Sequence, residues 1–359
     1  MTSSAIIKLR LFNQQIAGTK FNKPQELVAW MGAMQAQDYG MAKWAIGLRL
    51  PGLKDSDVEK AFNDGIILRT HVLRPTWHFV MPADIRWMLE LTAPRIIPLL
   101  AINDRKLGLD KKILKRSNDV LAKALQAGKQ FTRDELRTLL EKSKIASNDL
   151  RLIHLLMHAE LDGIICSGAR KGKQFTYALL DERAPNGKTM KRKEALAELT
   201  KRYFTSRGPA TLQDFAWWSG LLLADSKKGI EMARSDFKKE TVDGKEYFFK
   251  SLSFLKKEIY ETAYLLPNYD EYMISYKDRA ATLNEKHTAK LAKERNTIFS
   301  NSILINGRIE GIWQRIIKNN FVAVQTNAFS PFSKVKQRAL IKAAKSYAKF
   351  LGKSTQIVK

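Results

Sequence analysis

A single cysteine, Cys166, in 359 residues leaves nothing to build an intramolecular disulfide framework or a cysteine-based zinc cluster. Histidine is scarce too: of five, only His154 and His158 stand four apart, and a pair with no third ligand implied makes a poor metal site. Both read as core or surface residues of an apolar helix. No run of about 18 apolar residues exists, so no membrane-spanning helix is expected. The opening MTSSAIIKLRLFNQQ reaches Lys8 and Arg10 soon after two isoleucines, which is not the pattern of a signal peptide. A soluble chain in a reducing, cytoplasmic setting is the expectation. Glycine-rich phosphate loops are missing as well: GARKGKQ fits neither a Walker loop nor a dinucleotide fingerprint, which disfavours an ATPase or a dehydrogenase. Acidic residues are few, 36 against 62 Lys plus Arg, and from residue 301 onward Glu310 is the only one.

What is present is positive charge and enough apolar residues to fold. The net charge of +26 and a pI near 10.0 point to a polyanion, because Lys and Arg release counterions from phosphates. A merely solvated basic surface is the plainer alternative. Membrane binding fits less well, since no amphipathic stretch sets Trp and Phe opposite its lysines. A hydrophobic fraction of 45% supports packed cores, and the length suggests two or three domains at roughly 150 residues each.

Along the chain a unit recurs: helices, then a helix–turn–helix, then a hairpin. In residues 1–83, IIKLRLFNQQIAG and PQELVAWMGAM read as helices, SDVEKAFNDG as a third capped by Ser56 and stopped by Gly65, and IILRTHVL and TWHFVMP as strands around Arg74-Pro75. Residues 84–185 repeat the order. Helices fill 84–100 and 116–127, Thr132 and Glu135 form a capping box, and IICSGARKGKQFTYALL reads strand, basic turn, strand. Arg170, Lys171 and Lys173 fall at that turn. In 186–262 a helix closed by Gly208 leads to PATLQDFAWWSG, LADSKKGIEMARSD and a hairpin turning at Asp243-Gly244. From 263 to 359 the pattern is one of short strands, including AYLLPNYDEYMISY and TIFSNSILINGRIEGIWQRI, followed by a basic amphipathic helix carrying Lys334, Arg338, Lys342 and Lys345. The architecture expected is mainly α with β wings: three winged-helix-like units and a β-rich C-terminal domain.

One polar cluster, MGAMQAQDYG, interrupts an apolar stretch. Gln35 and Gln37 are two apart, so they converge only where the chain has left the helix. Two carboxamides can orient a water and a sugar by hydrogen bonds, but neither takes a proton at neutral pH. Asp38 can, yet it stands where the next helix needs a cap. On spacing alone the cluster reads as a structural helix end. Cys166 opens a strand with no histidine partner implied, which gives it little weight as a nucleophile.

MQAQDYG is followed in order by LRPTWHFVMPADIRW, GPATLQDFAWWSGL, LLPNYDEYMISYKDR and NGRIEGIW. Together, over about residues 6 to 330, these motifs resemble the AlkZ/YcaQ family of tandem winged-helix DNA glycosylases. The Gln35-Ala36-Gln37 triplet is similar to the Gln-x-Gln branch of that family. The resemblance implies a C-shaped body of three winged-helix units and a C-terminal β-barrel-like domain, with a basic channel for double-stranded DNA. It implies catalysis by Gln35 and Gln37, excision of alkylated purines such as N7-alkylguanine and N3-alkyladenine, and in some members unhooking of interstrand crosslinks. Base excision repair by a monomer associated with the nucleoid, with no cofactor, no metal and no membrane partner, goes with it. Arg74, Thr76 and His78 alternate on one strand face and contact phosphate or the lesion strand if that face lines the channel. Strand-edge packing is the alternative for them. Arg170, Lys171 and Lys173 at the second wing, Lys245 beside the third hairpin turn, and Arg279 complete the DNA-contacting set. The rival is a non-catalytic winged-helix DNA-binding protein or transcription regulator.

The chemistry is legible without the family. Alkylation at N7 or N3 makes a purine cationic, so its glycosidic bond is weakened and the base leaves neutral. The protein must hold a water near C1′ and stabilise an oxocarbenium-like transition state, which oriented carboxamide dipoles can do. No lysine is implied as an imine-forming nucleophile, so a monofunctional hydrolase is expected.

Overall fold

The computed structural model describes residues 1–251, 262–293 and 299–358. First in the chain come α1 (Ser3–Asn13), α2 (Pro24–Met31), β1 (Ala33–Gln35), α3 (Tyr39–Arg49), α4 (Asp55–Asn63), β2 (Leu68–Val72) and β3 (Thr76–Val80). Then follow α5 (Ile85–Lys106), α6 (Lys111–Leu125), β4 (Phe131–Thr132), α7 (Arg133–Lys142), α8 (Asp149–Leu161), β5 (Ile165–Ser167), β6 (Thr176–Leu179) and α9 (Leu180–Arg183). A third group comprises α10 (Arg192–Arg207), α11 (Leu212–Ser219), α12 (Leu223–Met232), β7 (Lys238–Val242) and β8 (Lys245–Phe249). The last comprises β9 (Ala263–Leu266), α13 (Glu271–Ile274), α14 (Glu285–Lys293), β10 (Ser302–Ile305), β11 (Arg308–Ile317), β12 (Phe321–Ala328), α15 (Lys334–Phe350) and β13 (Ser354–Val358).

The fold is mixed, 49% helical and 19% strand, rather than mainly α. Three small sheets follow the first three helical groups, ordered β1-β3-β2, β4-β6-β5 and β7-β8. A five-stranded sheet, β13-β12-β11-β10-β9, curls into a half-barrel against α15 and α3. Two hairpins turn on Asp243-Gly244 and Asn306-Gly307, where both residues of each pair have positive φ, as a tight turn matched to strand twist requires. The last strand, β13, runs parallel to β12 and was not visible in the sequence pattern. The exposed face of α15 carries Lys334, Arg338, Lys342 and Lys345, and its other face buries Leu340, Ala344 and Tyr347.

Local chemistry explains where the sequence reading and the structure part. The helix expected to run through Met34 ends at Met31, because Gly32 takes φ +72 and the next residues pair with β3. The cap of α4 is Lys54, not Ser56, and its free N–H is taken by the Asp57 carboxylate at 2.8 Å. The strand reading of DEYMISY gives way to α13, which Asp270 caps through the Tyr272 N–H at 2.8 Å. The Thr132–Glu135 box is present as read. Residues 297–298 of the strand reading that begins at Thr297, and residues 252–261 before the boundary at 262–263, lie outside the described residues.

Candidate active site

The chain from Ala33 to Ala36 is anchored at successive backbone groups. Arg207, fully buried, donates through Nη1 to the Met31 carbonyl at 2.7 Å and through Nη2 to the Ala33 carbonyl at 2.8 Å. The Gln35 N–H donates to Oε1 of Glu271 at 2.8 Å. The Ala36 N–H donates to the Trp77 carbonyl at 2.7 Å, and the Ala36 carbonyl accepts from Nε of Arg69 at 3.0 Å. The Ala36 methyl is buried, and the two carboxamides flank it, Gln35 half-buried and Gln37 exposed. The chain has thus left the helix before the cluster: Gln35 closes the strand β1, and Gln37 follows one residue beyond Ala36.

Glu271 is the hub of these anchors. Its Oε2 accepts from Arg207 Nη2 at 2.7 Å, Ser275 Oγ at 2.7 Å and Trp218 Nε1 at 3.0 Å. Burial pushes this carboxyl up, but the Arg207 guanidinium and the hydrogen bonds from Arg207, Ser275 and the Gln35 N–H outweigh it and hold the pKa at about 2. The site thus keeps a buried carboxylate ionised, and that carboxylate holds the Gln35 backbone.

Arg74 reaches Gln35 itself, with Nη2 3.1 Å from Oε1. A guanidinium only donates, so this contact sets the amide orientation: the oxygen faces Arg74 with one lone pair spare, and the NH2 faces away. Gln37 hydrogen-bonds no described residue through its side chain. Asp38 caps α3 through the Met41 N–H at 3.2 Å, accepts from Asn268 Nδ2 at 3.3 Å, and has Arg315 Nη2 at 3.8 Å.

His78 lies across the sheet from Gln35 on one side and Thr70 on the other. Its Nδ1 donates to the Thr76 carbonyl at 2.9 Å, which leaves a lone pair on Nε2. Burial and then the Arg74 charge push its pKa down to about 3, so the ring is neutral. Thr70 Oγ1, Thr76 Oγ1, His78 Nε2 and Arg74 Nε are buried without a hydrogen-bond partner among the described residues. This row is an interior polar seam beneath Gln35, and neither Thr76 nor His78 is presented as an exposed phosphate contact.

The remaining expected contacts are distributed. Arg170 folds back against the Phe175 and Tyr39 rings, at 4.3 and 5.0 Å, and donates to the Gln174 and Lys173 carbonyls. Lys171 pairs with Glu135 at 2.8 Å, and Lys173 is exposed. Lys245 pairs with Asp278 at 2.5 Å and lines a groove of about 620 Å³ with Lys227, Lys277 and Phe248. Arg279 donates to the Met273 carbonyl at 2.8 Å, with burial drawing its pKa down to about 10. Asp270 accepts two 2.8 Å hydrogen bonds from the fully buried Arg49. His154 and His158 both bond Asp104, at 2.7 and 2.9 Å. Cys166 is fully buried, and burial pushes its thiol up to about 12. Sequence reasoning missed Arg69, Arg207, Glu271 and Arg315, whose partners stand far away in the chain.

The class is that of a DNA glycosylase, an enzyme that hydrolyses N-glycosyl bonds. The chain belongs to the AlkZ-like DNA glycosylase family, whose model matches residues 28–350. An interstrand DNA cross-link repair glycosylase of Streptomyces sahachiroi is 25% identical over 311 residues, 80% of this chain and 81% of that one. The solved structure of Streptomyces sahachiroi DNA glycosylase AlkZ superposes with a TM-score of 0.81 over the whole of both chains at 21% identity, a likeness of fold. The family expected from the motifs is thus the family found.

Proposed function

We propose that Gln35 and Gln37 are the catalytic pair of a monofunctional glycosylase for cationic alkylpurines, N7-alkylguanine and N3-alkyladenine, including crosslinked ones. The single observation that carries the reading is the placement of the carboxamides. They flank a buried Ala36 on a strand end tied down by Arg69, Arg207 and Glu271, with Gln37 open to solvent. Fixed dipoles of this kind cost no reorganisation as positive charge develops on the sugar. Gln35, its oxygen aimed by Arg74, and Gln37 hold the attacking water at C1′. The alkylated base leaves as a neutral group and needs no acid. Crosslink unhooking draws support from the name of the Streptomyces sahachiroi relative.

The three helix-then-hairpin groups read as tandem winged-helix units over 1–83, 84–185 and 186–262, with 263–359 as the β-rich C-terminal domain. A monomer takes the duplex along its basic face. The test is release of free base from duplex DNA carrying N7-methylguanine, followed by chromatography with purified protein. Binding at every dose with no base released would leave the non-catalytic DNA-binding reading in its place.

A further inference from the structure

The segment that supplies Glu271 also builds an aromatic column next to the catalytic loop. Its members are Trp217, Arg279, Phe299 and Tyr269. The Arg279 guanidinium carbon lies 5.6 Å from the Trp217 ring centroid and 5.3 Å from that of Phe299. The Tyr269 and Phe299 rings stack at 6.1 Å with 24° between their planes. Arg279 is held from behind by the Met273 and Lys277 carbonyls, and Trp217 by the Ile274 carbonyl at 3.0 Å.

Three observations tie this column to the glutamine site and leave its rings open to a partner. First, its supports interleave with those of the glutamines. Asn268 bonds Asp38, Glu271 bonds the Gln35 N–H, and Tyr269 stands between them. Gly220, three residues beyond Trp217, packs so closely on the β2–β3 turn that a Cβ there would lie 2.4 Å from the Leu73 carbonyl oxygen and 3.5 Å from Arg74 Cγ. Second, the two adjacent tryptophans are treated differently. Trp218 is fully buried on Glu271, whereas Trp217 stays 39% exposed, a large apolar ring left in water. Third, Tyr269 holds φ +56, a left-handed conformation that a bulky residue rarely adopts, and its hydroxyl bonds no described residue. A glycine would fill that backbone position with less strain, so the ring, not the turn, accounts for a tyrosine.

We propose that Tyr269 and Trp217, backed by Phe299 and Arg279, form a stacking platform for a planar, base-sized π system of the damaged DNA. The inference rests on the glycosylase reading above. Aromatic rings and guanidinium planes bind bases through their faces, without reading sequence. The shared chemistry has two sources: a nucleobase next to the lesion, or the aromatic part of a bulky adduct.

The experiment uses the full chain with Tyr269→Gly, Tyr269→Phe and Trp217→Leu. Each is measured for melting temperature, DNA affinity and single-turnover base release. The substrates are one duplex carrying N7-methylguanine and the same duplex carrying an N7-arylmethylguanine. Tyr269→Gly relieves the backbone and is expected to melt no lower than wild type, yet to lose affinity on the order of tenfold, the scale of one base stack. Tyr269→Phe restores it, and Trp217→Leu weakens binding in the same sense. Loss on both duplexes identifies the nucleobase, and loss on the arylmethyl duplex alone identifies the adduct. Tyr269→Gly and Trp217→Leu binding and cutting both duplexes within about twofold of wild type would overturn the platform. If wild type releases no base at all, it is the glycosylase reading that fails.

Discussion

The backbone N–H of Gln35 donates to a carboxylate oxygen of Glu271 at 2.8 Å, joining positions 236 apart in the chain. The contact couples the strand end that carries Gln35 to the ion pair of Glu271 with Arg207, 2.7 Å apart and sealed from water.

Replacing Glu271 with Gln therefore leaves Arg207 buried and uncompensated. The expected loss of stability is about 3–5 kcal/mol, the range for a broken interior pair, read as a lower melting temperature. The sign with pH follows. A carboxyl held at about 2 stabilises the fold fully above its ordinary value of 4.5, and that contribution drains away as pH falls towards 2. Urea unfolding across that window should be shallower in pH for Glu271→Gln than for wild type.

His78 acts over a different window. Its folded pKa near 3 lies below the ordinary 6.5, so the unfolded chain takes up a proton that the folded chain refuses. Stability drops as pH falls from about 6.5 towards 3. Denaturant melts at intervals from pH 7 to 4 should show this slope reduced in His78→Gln. An unchanged slope would remove His78 as its source.

Gln35→Ala and Gln37→Ala should each lower single-turnover base release by on the order of 10²–10³, the scale of losing one preorganised transition-state contact. Anisotropy with lesion DNA should show affinity close to wild type. Full activity in both variants would refute the assignment.

Arg74 donates to the Gln35 amide oxygen, so Arg74→Lys and Arg74→Met test positioning. The expected result is a fall in kcat, on the order of tenfold or more, with KM little altered, because a misaimed amide costs rate rather than binding. A change confined to KM would make Arg74 a phosphate contact instead.

Lys173 is exposed at the tip between β5 and β6, with no side-chain partner among the described residues. If it meets a phosphate, Lys173→Ala lowers the slope of log affinity against log salt by about one. Lys171→Ala and Lys245→Ala should lower it less, since each lysine first gives up its partner, Glu135 or Asp278.

What the sequence determined by itself was whatever depends on neighbours in the chain. Helix caps such as Thr132 with Glu135, the turn at Asp243-Gly244, the alternation of strands around Arg74-Pro75 and the excess of positive charge are local or compositional, and they are found as read. The ordered motifs carried the family as well. Tertiary structure alone decided that β1 pairs with β3, so that Gln35 lies opposite His78. It also made Arg69, Arg207 and Glu271 the frame of the strand that carries Gln35. The physical reason is that a buried charge is tolerable only beside its partner, and no spacing rule says which distant partner folding will bring. The same limit separated Trp217 from Trp218, identical and adjacent in sequence, one left at the surface and the other enclosed.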